Sequence, residues 1–390
     1  MTILDPILHA LSISFAMTWE ILWALVLGFT LSALVEAVVP KSQITRLLPD
    51  ASPGSLTIAS LLGAASSSCS YAAVALARSL FLKGADFTAA MAFEIASTNL
   101  VIELGIVLVI LMGWQFAAAE FVGGAVMIVI LALLLRMFLT ARRVADARAQ
   151  AEKRLRGYME GHAEMDMSVN EGNLWQKIFS ARGFTAVSHL FVMDWASVIR
   201  DVVGGLLIAG ALAAWVPETF WKFFFLSDEP RLAFFWGPLV GPIVSVASFV
   251  CSIGNVPLAA VLWNNGISFG GVISFIFADL IILPILSIKR KYYGTGVTVF
   301  LFATFYAAMA LAGLLVELLF GALGLIPHER NALVIEPSLS WNYTTVLNFL
   351  FLALAGLLLF RAWRTGGFAM LGMMNPKDAA TTPAETAHHH

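Results

Sequence analysis

The residues best suited to chemistry are two cysteines and a few acids set in a strongly apolar chain. Both cysteines of the 390-residue sequence, Cys69 and Cys251, stand in Cys-Ser pairs 182 residues apart. Ser66, Ser67, Ser68 and Ser70 surround the first, and Ser248, Ser252 and Asn255 the second. Small polar groups with one soft sulfur per copy suit a thiophilic ligand such as trivalent arsenic or a soft metal ion. Cys69 and Cys251 are therefore candidate metal ligands, and Ser68, Cys69, Ser70, Cys251, Ser252 and Asn255 a candidate substrate-binding set. A plainer role competes, because free cysteine is also a common buried apolar residue.

The segment after the first cysteine carries Glu94, Asn99 and Glu103, and the segment after the second carries Asp279. An ionisable side chain at membrane depth costs about 2.5–3.5 kcal/mol on insertion scales, so each marks a candidate site. Glu94, Asn99 and Asp279 are read as ion-coupling residues, with the carboxylates as proton carriers; buried hydrogen bonds between helices are the alternative. Asn99 and Glu103 share a helix face, but Glu103 is expected nearer the membrane surface. Glu36, Asp201 and Glu317 are weaker candidates, and His189 reads as interfacial.

These residues lie in an internal repeat. Residues 65–100 and 247–282, aligned without a gap, agree at 12 of 36 positions, including both Cys-Ser pairs and a Gly-x-x-Phe step at Gly84–Phe87 and Gly266–Phe269. Duplicated halves with a substrate between them are a signature of transporters. The composition fits: 59% of residues are hydrophobic and 12% charged, against about 25% charged in a soluble domain. A net charge of −2 gives no support to nucleic-acid binding, and two cysteines cannot build a disulfide framework. No cleavable signal peptide is evident at the start.

A membrane helix needs about 20 apolar residues. The sequence predicts full crossings at roughly 16–39, 86–112, 118–140, 195–216, 268–288, 296–321 and 341–361. Segments 53–81 and 232–263 are interrupted by Gly, Ser, Asn and Pro and read as re-entrant helical hairpins, turning at Ser66-Ser67-Ser68 and at Gly254-Asn255, with two complete tilted helices per hairpin as the alternative. Basic residues in 141–185, at Lys289-Arg290-Lys291 and at Arg361 and Arg364 mark the cytoplasmic side. The N-terminus then lies outside and the C-terminus inside.

Val39-Pro40 after the first long helix matches Val216-Pro217 after the fourth, with basic residues following one and acidic residues the other. The expected fold is thus an all-α polytopic membrane protein with two inverted-topology repeats, each holding a broken hairpin, plus an extra C-terminal helix. Residues 1–140 form the first repeat, 141–190 a basic, solvated cytoplasmic loop and 191–321 the second repeat. Residues 322–366 add the extra helix, and 367–390 are a tail ending in a tag remnant.

With these residues assembled, the chain resembles the bacterial predicted-permease family that includes the organoarsenical efflux permeases (ArsP and YraQ-like proteins). The likeness covers most of 16–321 and is strongest in SSSCSYAAVALARSLFLKGADFTAAMAFEIASTNLVIELG and GPLVGPIVSVASFVCSIGNVPLAAVLWNNGISFGGVISFIFADLIILPI. It implies an inner-membrane permease and, in the arsenical branch, export of trivalent organoarsenicals with cysteine participation. That branch typically carries C-S-C-G-V-I-P at the first hairpin; here Ser68-Cys69-Ser70-Tyr71-Ala72-Ala73-Val74 stands in its place, with a single sulfur.

HExxH, P-loop and Cys-x-x-Cys signatures are missing, so no enzyme activity and no cofactor are expected. The leading reading is a permease moving a small solute or ion by alternating access, with the bilayer as its environment and a homo-oligomer left open. An ion channel and a non-transporting scaffold are the rival classes. The duplication favours transport, since a scaffold has no need of two opposed half-sites.

Overall fold

The computed structural model describes residues 4–38, 48–68, 70–152, 180–226, 229–248, 252–333 and 343–374, and their regular structure is helical throughout. The first series of helices is α1 (Leu4–Val38), α2 (Pro53–Ser66), α3 (Ser70–Leu82), α4 (Phe87–Asn99), α5 (Ile102–Met112) and α6 (Trp114–Phe138). After α7 (Ala141–Ala151) comes a second series. It holds α8 (Ala181–Trp215), the short α9 (Glu218–Phe224), α10 (Pro230–Ser248), α11 (Ser252–Asn264), α12 (Phe269–Phe277), α13 (Leu283–Tyr293) and α14 (Thr295–Ala322). A 3₁₀ turn at Ala278–Ile281 joins α12 to α13, and α15 (Tyr343–Arg364) and α16 (Gly367–Met374) close the described chain.

The repeat in the sequence reappears in the element boundaries. Helices α2 and α10 end at Ser66 and Ser248, and α3 and α11 span Ser70–Leu82 and Ser252–Asn264, each pair 182 residues apart. The turns before α4 and α12 use Gly84 and Gly266 at φ +106° and +105°, where a β-carbon would be strained and glycine is not. Each is followed by an N-cap: Asp86 accepts from the Thr88 and Ala89 amides, and Ser268 from the Gly271 amide. Both following segments then break at the same place, α4 from α5 by 42° and α12 from α13 by 44°. The sequence reads each as one continuous helix. The backbone instead leaves the helical path at Leu100-Val101 and at Ile282.

The two bent pairs run in opposite directions. The Phe87 ring at the start of α4 lies 5.6 Å from Tyr293 at the end of α13, and Phe269 at the start of α12 lies 4.8 Å from Phe116, just past the end of α5. Helices α1 and α8, 35 residues each, are likewise antiparallel: Trp215 Nε1 donates to the Pro6 carbonyl, Ser14 Oγ to the Leu206 carbonyl, and Phe29 packs on Trp195. Gly210 allows that approach, because a β-carbon there would fall 2.5 Å from the Ala10 carbonyl oxygen.

The chain also reverses at Ser67. Helix α2 runs beside α4 in the same sense, tied at one end by the Asp86 amide on the Leu48 carbonyl (3.0 Å) and at the other by the Ser68 amide on the Ser97 carbonyl (2.9 Å). Gly63 lets them touch, since its β-carbon would sit 2.5 Å from the Phe93 carbonyl oxygen. Helix α3 then returns to the start of α4. In the second segment Gly254-Asn255 is not a turn but is buried inside α11, and residues 249–251 lie outside the described residues. Asn255 does not turn the chain. Its Nδ2 donates to Ser245 Oγ (3.1 Å) and its Oδ1 accepts from Ser248 Oγ (3.3 Å), pinning α11 to the end of α10.

Among the described residues, four helices are long and apolar enough to cross a membrane: Trp114–Phe138, Arg231–Ser248, Thr295–Ala322 and Thr344–Arg364. Up to seven qualify if each bent pair counts as one span. The third such pair is α1 itself, bent by 45° between Asp5–Ala16 and Ile21–Leu31. Asn348 of α15 fills that bend: its Oδ1 accepts from the Trp23 amide (2.9 Å) and its Nδ2 donates to the Trp19 carbonyl (2.6 Å). A side chain inserted into the helical ladder is a sufficient cause of a bend.

Three expectations need amending. Helix α10 is 19 residues long, roughly 28 Å at 1.5 Å per residue, so this arm has the length of a crossing. The basic segment after α6 is not simply a solvated connector, because α7 docks: Arg148 lies over Phe81, Arg143 over Phe300, and Gln150 donates to the Lys291 carbonyl. The next long helix starts at Ala181, well before 195. Residues 153–179, Val39-Pro40 and the acidic stretch near Asp228 lie outside the described residues.

Candidate functional site

The two helix breaks and the Ser67 reversal come together inside the bundle. Ser67 adopts a left-handed conformation (φ 38°, ψ 68°), which costs a residue with a side chain on the order of 1–3 kcal/mol and concentrates at functional positions. From there its hydroxyl donates to Glu103 Oε1, in the first turn of α5. Ser66 and Ser68 hydroxyls bond each other at 3.0 Å. Ser70, in the first turn of α3, donates to Asp279 Oδ2 at 2.6 Å, a contact across 209 residues. The second helix break thus receives its hydrogen bond from the first hairpin.

Helix α13 supplies the countercharge. Lys289 Nζ lies 2.7 Å from Glu94 Oε1, with both side chains buried, and 3.9 Å from the centre of the Phe305 ring. This corrects the sequence reading, which puts Lys289 with Arg290 and Lys291 at the cytoplasmic face. Helix α13 continues to Tyr293, and each residue advances about 100° around an α-helix, so Arg290 and Lys291 are exposed while Lys289 turns inward. A buried ammonium without its partner would be expensive; the ion pair makes it tolerable. Glu103 is buried too, 4% exposed.

A further acid lies beside this seam. Glu120, in the second turn of α6, is fully buried, and neither carboxylate oxygen has a hydrogen-bond partner among the described residues. Glu120 and Lys289 are not among the sequence-based candidates. The signal for Glu120 was nonetheless visible: a lone acid in a 25-residue apolar helix meets the same cost as Glu94.

The remaining candidates place as follows. Asn99 ends α4, buried, with Nδ2 on Thr98 Oγ1 (2.9 Å) and the Ile95 carbonyl. Ser68 is buried against Ser97 through its amide, and α11, which carries Asn255, packs on α5 and the 3₁₀ turn. Cys69, Cys251 and the Ser252 side chain lie outside the described residues, as do the Glu36 and Asp201 side chains. Among the described residues no three His, Cys, Asp or Glu side chains gather as a metal-holding group. Glu317 accepts from the Gly270 amide. Arg330, outside the spans, closes that end by donating to the Trp263 and Ile267 carbonyls, both at 2.7 Å.

Described residues whose regular structure is helical, with a wide apolar exterior, membrane-length helices and several charged side chains buried inside the bundle, make a multi-pass membrane protein of the permease class. The chain matches a family described as "Predicted permease" over residues 7–318. It is 63% identical over 338 residues, 86% of this chain and 83% of the relative, to the Mycobacterium tuberculosis protein named "Putative permease Rv2963". No solved structure matches it. The chain belongs to the predicted permease family.

Proposed function

We propose that the protein moves a small solute or ion across the inner membrane by alternating access between two inverted halves. The observation that carries this reading is the 2.6 Å hydrogen bond from Ser70 to Asp279, fully buried, which links the hairpin of one half to the broken helix of the other. Broken helices from opposed repeats that meet inside the membrane are how inverted-repeat transporters build a midplane site. The antiparallel courses of α1 against α8 and of α4–α5 against α12–α13 support such a pair of halves. The basic end of the bundle, with Arg143, Arg148, Arg290 and Lys291, is read as cytoplasmic.

The substrate surface is formed by Ser68, Cys69 and Ser70 from one hairpin and Cys251, Ser252 and Asn255 from the other. Ion coupling falls to Glu94, Asn99 and Asp279. Each hairpin carries one soft sulfur, so the cargo is a thiophilic metal or metalloid species leaving the cell. The test is a metal and metalloid sensitivity panel on cells with and without the gene, followed by uptake into everted vesicles. Expected is resistance that depends on the gene and is lost on Cys69→Ser or Cys251→Ser. Resistance and uptake unaffected by either substitution would remove sulfur from the mechanism; flux indifferent to a collapsed proton gradient would remove coupling.

A further inference from the structure

Two segments outside the broken helices tie the two series together, one at each end of the bundle. At the end carrying Arg290 and Lys291, α7 reaches both series. Arg148 lies 4.3 Å from the centre of the Phe81 ring, and the Ala151 carbonyl accepts from Arg78 Nη2 at 2.9 Å; both partners belong to α3. Gln150 Nε2 donates to the Lys291 carbonyl of α13 at 3.2 Å. At the opposite end the segment 325–333, which follows α14, does the same. Arg330 lies 4.3 Å from the centre of the Trp263 ring, and the Ala332 amide and carbonyl both bond the Asn264 side chain at 2.9 Å; these partners belong to α11. The Leu333 amide donates to the Leu111 carbonyl of α5 at 2.7 Å.

The two ties are built to one plan. Phe81 and Trp263 stand 182 residues apart, and so do Arg148 and Arg330, the spacing of the internal repeat. Aligned at that spacing, 141–151 and 323–333 share the arginine alone, and α7 is helical where 330–333 is not. The likeness therefore lies in the contact and not in the backbone. Each arginine covers an aromatic ring near the end of a hairpin's second arm, and each segment goes on to bond the bent pair of the other series.

A segment bonded to both halves at one end resists their separation at that end. Alternating access requires the halves to part at one end at a time. Both ties are light enough to release: a cation over an aromatic ring and a few hydrogen bonds, held by short segments at the edge of the bundle. In this structure both are made, and neither end has parted.

We infer that α7 and residues 325–333 are the two gates of the protein, latched by Arg148 on Phe81 and by Arg330 on Trp263, and that each releases when its own end of the bundle opens. Loosening one latch raises the population open at that end and leaves the other end as it was. The purpose of the gates rests on the permease reading above; the ties themselves do not.

The experiment measures from which face of the membrane the interior is reached. Ser70, fully buried between the halves, is replaced by a reporter thiol (Ser70→Cys) in a chain carrying Cys69→Ser and Cys251→Ser. Membrane vesicles of each orientation are treated with a charged methanethiosulfonate that does not cross lipid. Arg148→Ala should speed labelling roughly tenfold from one face only, as loss of a sheltered cation–π contact implies. Arg330→Ala should speed it from the opposite face only, and by more, because Arg330 also donates to the Trp263 and Ile267 carbonyls, both at 2.7 Å. Acceleration from the same face for both variants, from both faces for either, or from neither overturns the proposal. Should an arginine variant not fold, Gln150→Ala and Asn264→Ala loosen the same two segments, and the same opposite sidedness is required of them. Opposite-sided labelling in a protein that moves no cargo would sink the permease reading and leave the gates standing. Gene-dependent metalloid resistance with unsided labelling would do the reverse.

Discussion

The two helix breaks occupy equivalent places and are chemically unlike. At the first, Asn99 and Glu103 are served from within their own half, Glu103 by Ser67 and Asn99 by Thr98. At the second, Asp279 is served from the other half, by Ser70, and α13 sends Lys289 back across to Glu94. The backbone matches at the two breaks, in the glycine turns and in the bends, while the side chains differ: the first break is satisfied by its own series of helices, and the second is bonded to residues of the other series. Chemistry that must sense both halves at once belongs at the second break.

That contrast can be broken at its strongest point first. Lys289→Met strands Glu94 as a buried, unpaired charge, a change that costs about 3–5 kcal/mol in buried pairs; equilibrium denaturation in mixed micelles should register it. The matched test at the first break, Glu103→Gln, keeps an acceptor for Ser67 and should cost only about 0.5–1.5 kcal/mol. Equal losses would mean that the breaks are alike after all.

Where the halves agree, substitutions should agree too. Gly84→Ala and Gly266→Ala both force a side chain into the left-handed region, at about 1–2 kcal/mol each, and their losses by the same assay should coincide.

The smallest effect lies outside the membrane. Asp50 accepts from Ser55 Oγ at 2.6 Å and the Ser52 amide at 3.1 Å, which hold its carboxyl below the usual carboxylate range. A depressed folded value means that the contribution is present above the unfolded value and disappears as pH falls through the folded one. Hydrogen exchange at the start of α2 should therefore accelerate only in acid, with no counterpart at α10.

Much of this was legible in the sequence. The duplicated segments, with their shared Gly-x-x-Phe step, marked the two matching regions, though the turns at Gly84 and Gly266 were not read from them. The spans near 86–112, 118–140, 268–288, 296–321 and 341–361 follow from apolar run length. Less legible were features set by distant partners. Apolar run length alone passes over the 42° and 44° bends, although Ser97-Thr98-Asn99 before Leu100 and Pro284 after Ile282 were local signals of a boundary. Lys289 sits in a Lys-Arg-Lys run that reads as an interfacial cluster; only the phase of α13 and the position of Glu94 turn it inward. Gly254-Asn255-Val256-Pro257 has the composition of a turn, yet Asn255 finds its partners in Ser245 and Ser248 and stays helical.

The central claim is that the halves are joined by buried charge across the second break. A double-mutant cycle on Glu94→Gln and Lys289→Met, read by equilibrium unfolding of the protein in mixed micelles, tests it most directly. The account predicts that the double variant is more stable than the summed single losses imply, with a coupling of about 1.5–3 kcal/mol, in the upper part of the range for residues in contact. Additive losses, with coupling near zero, would contradict it.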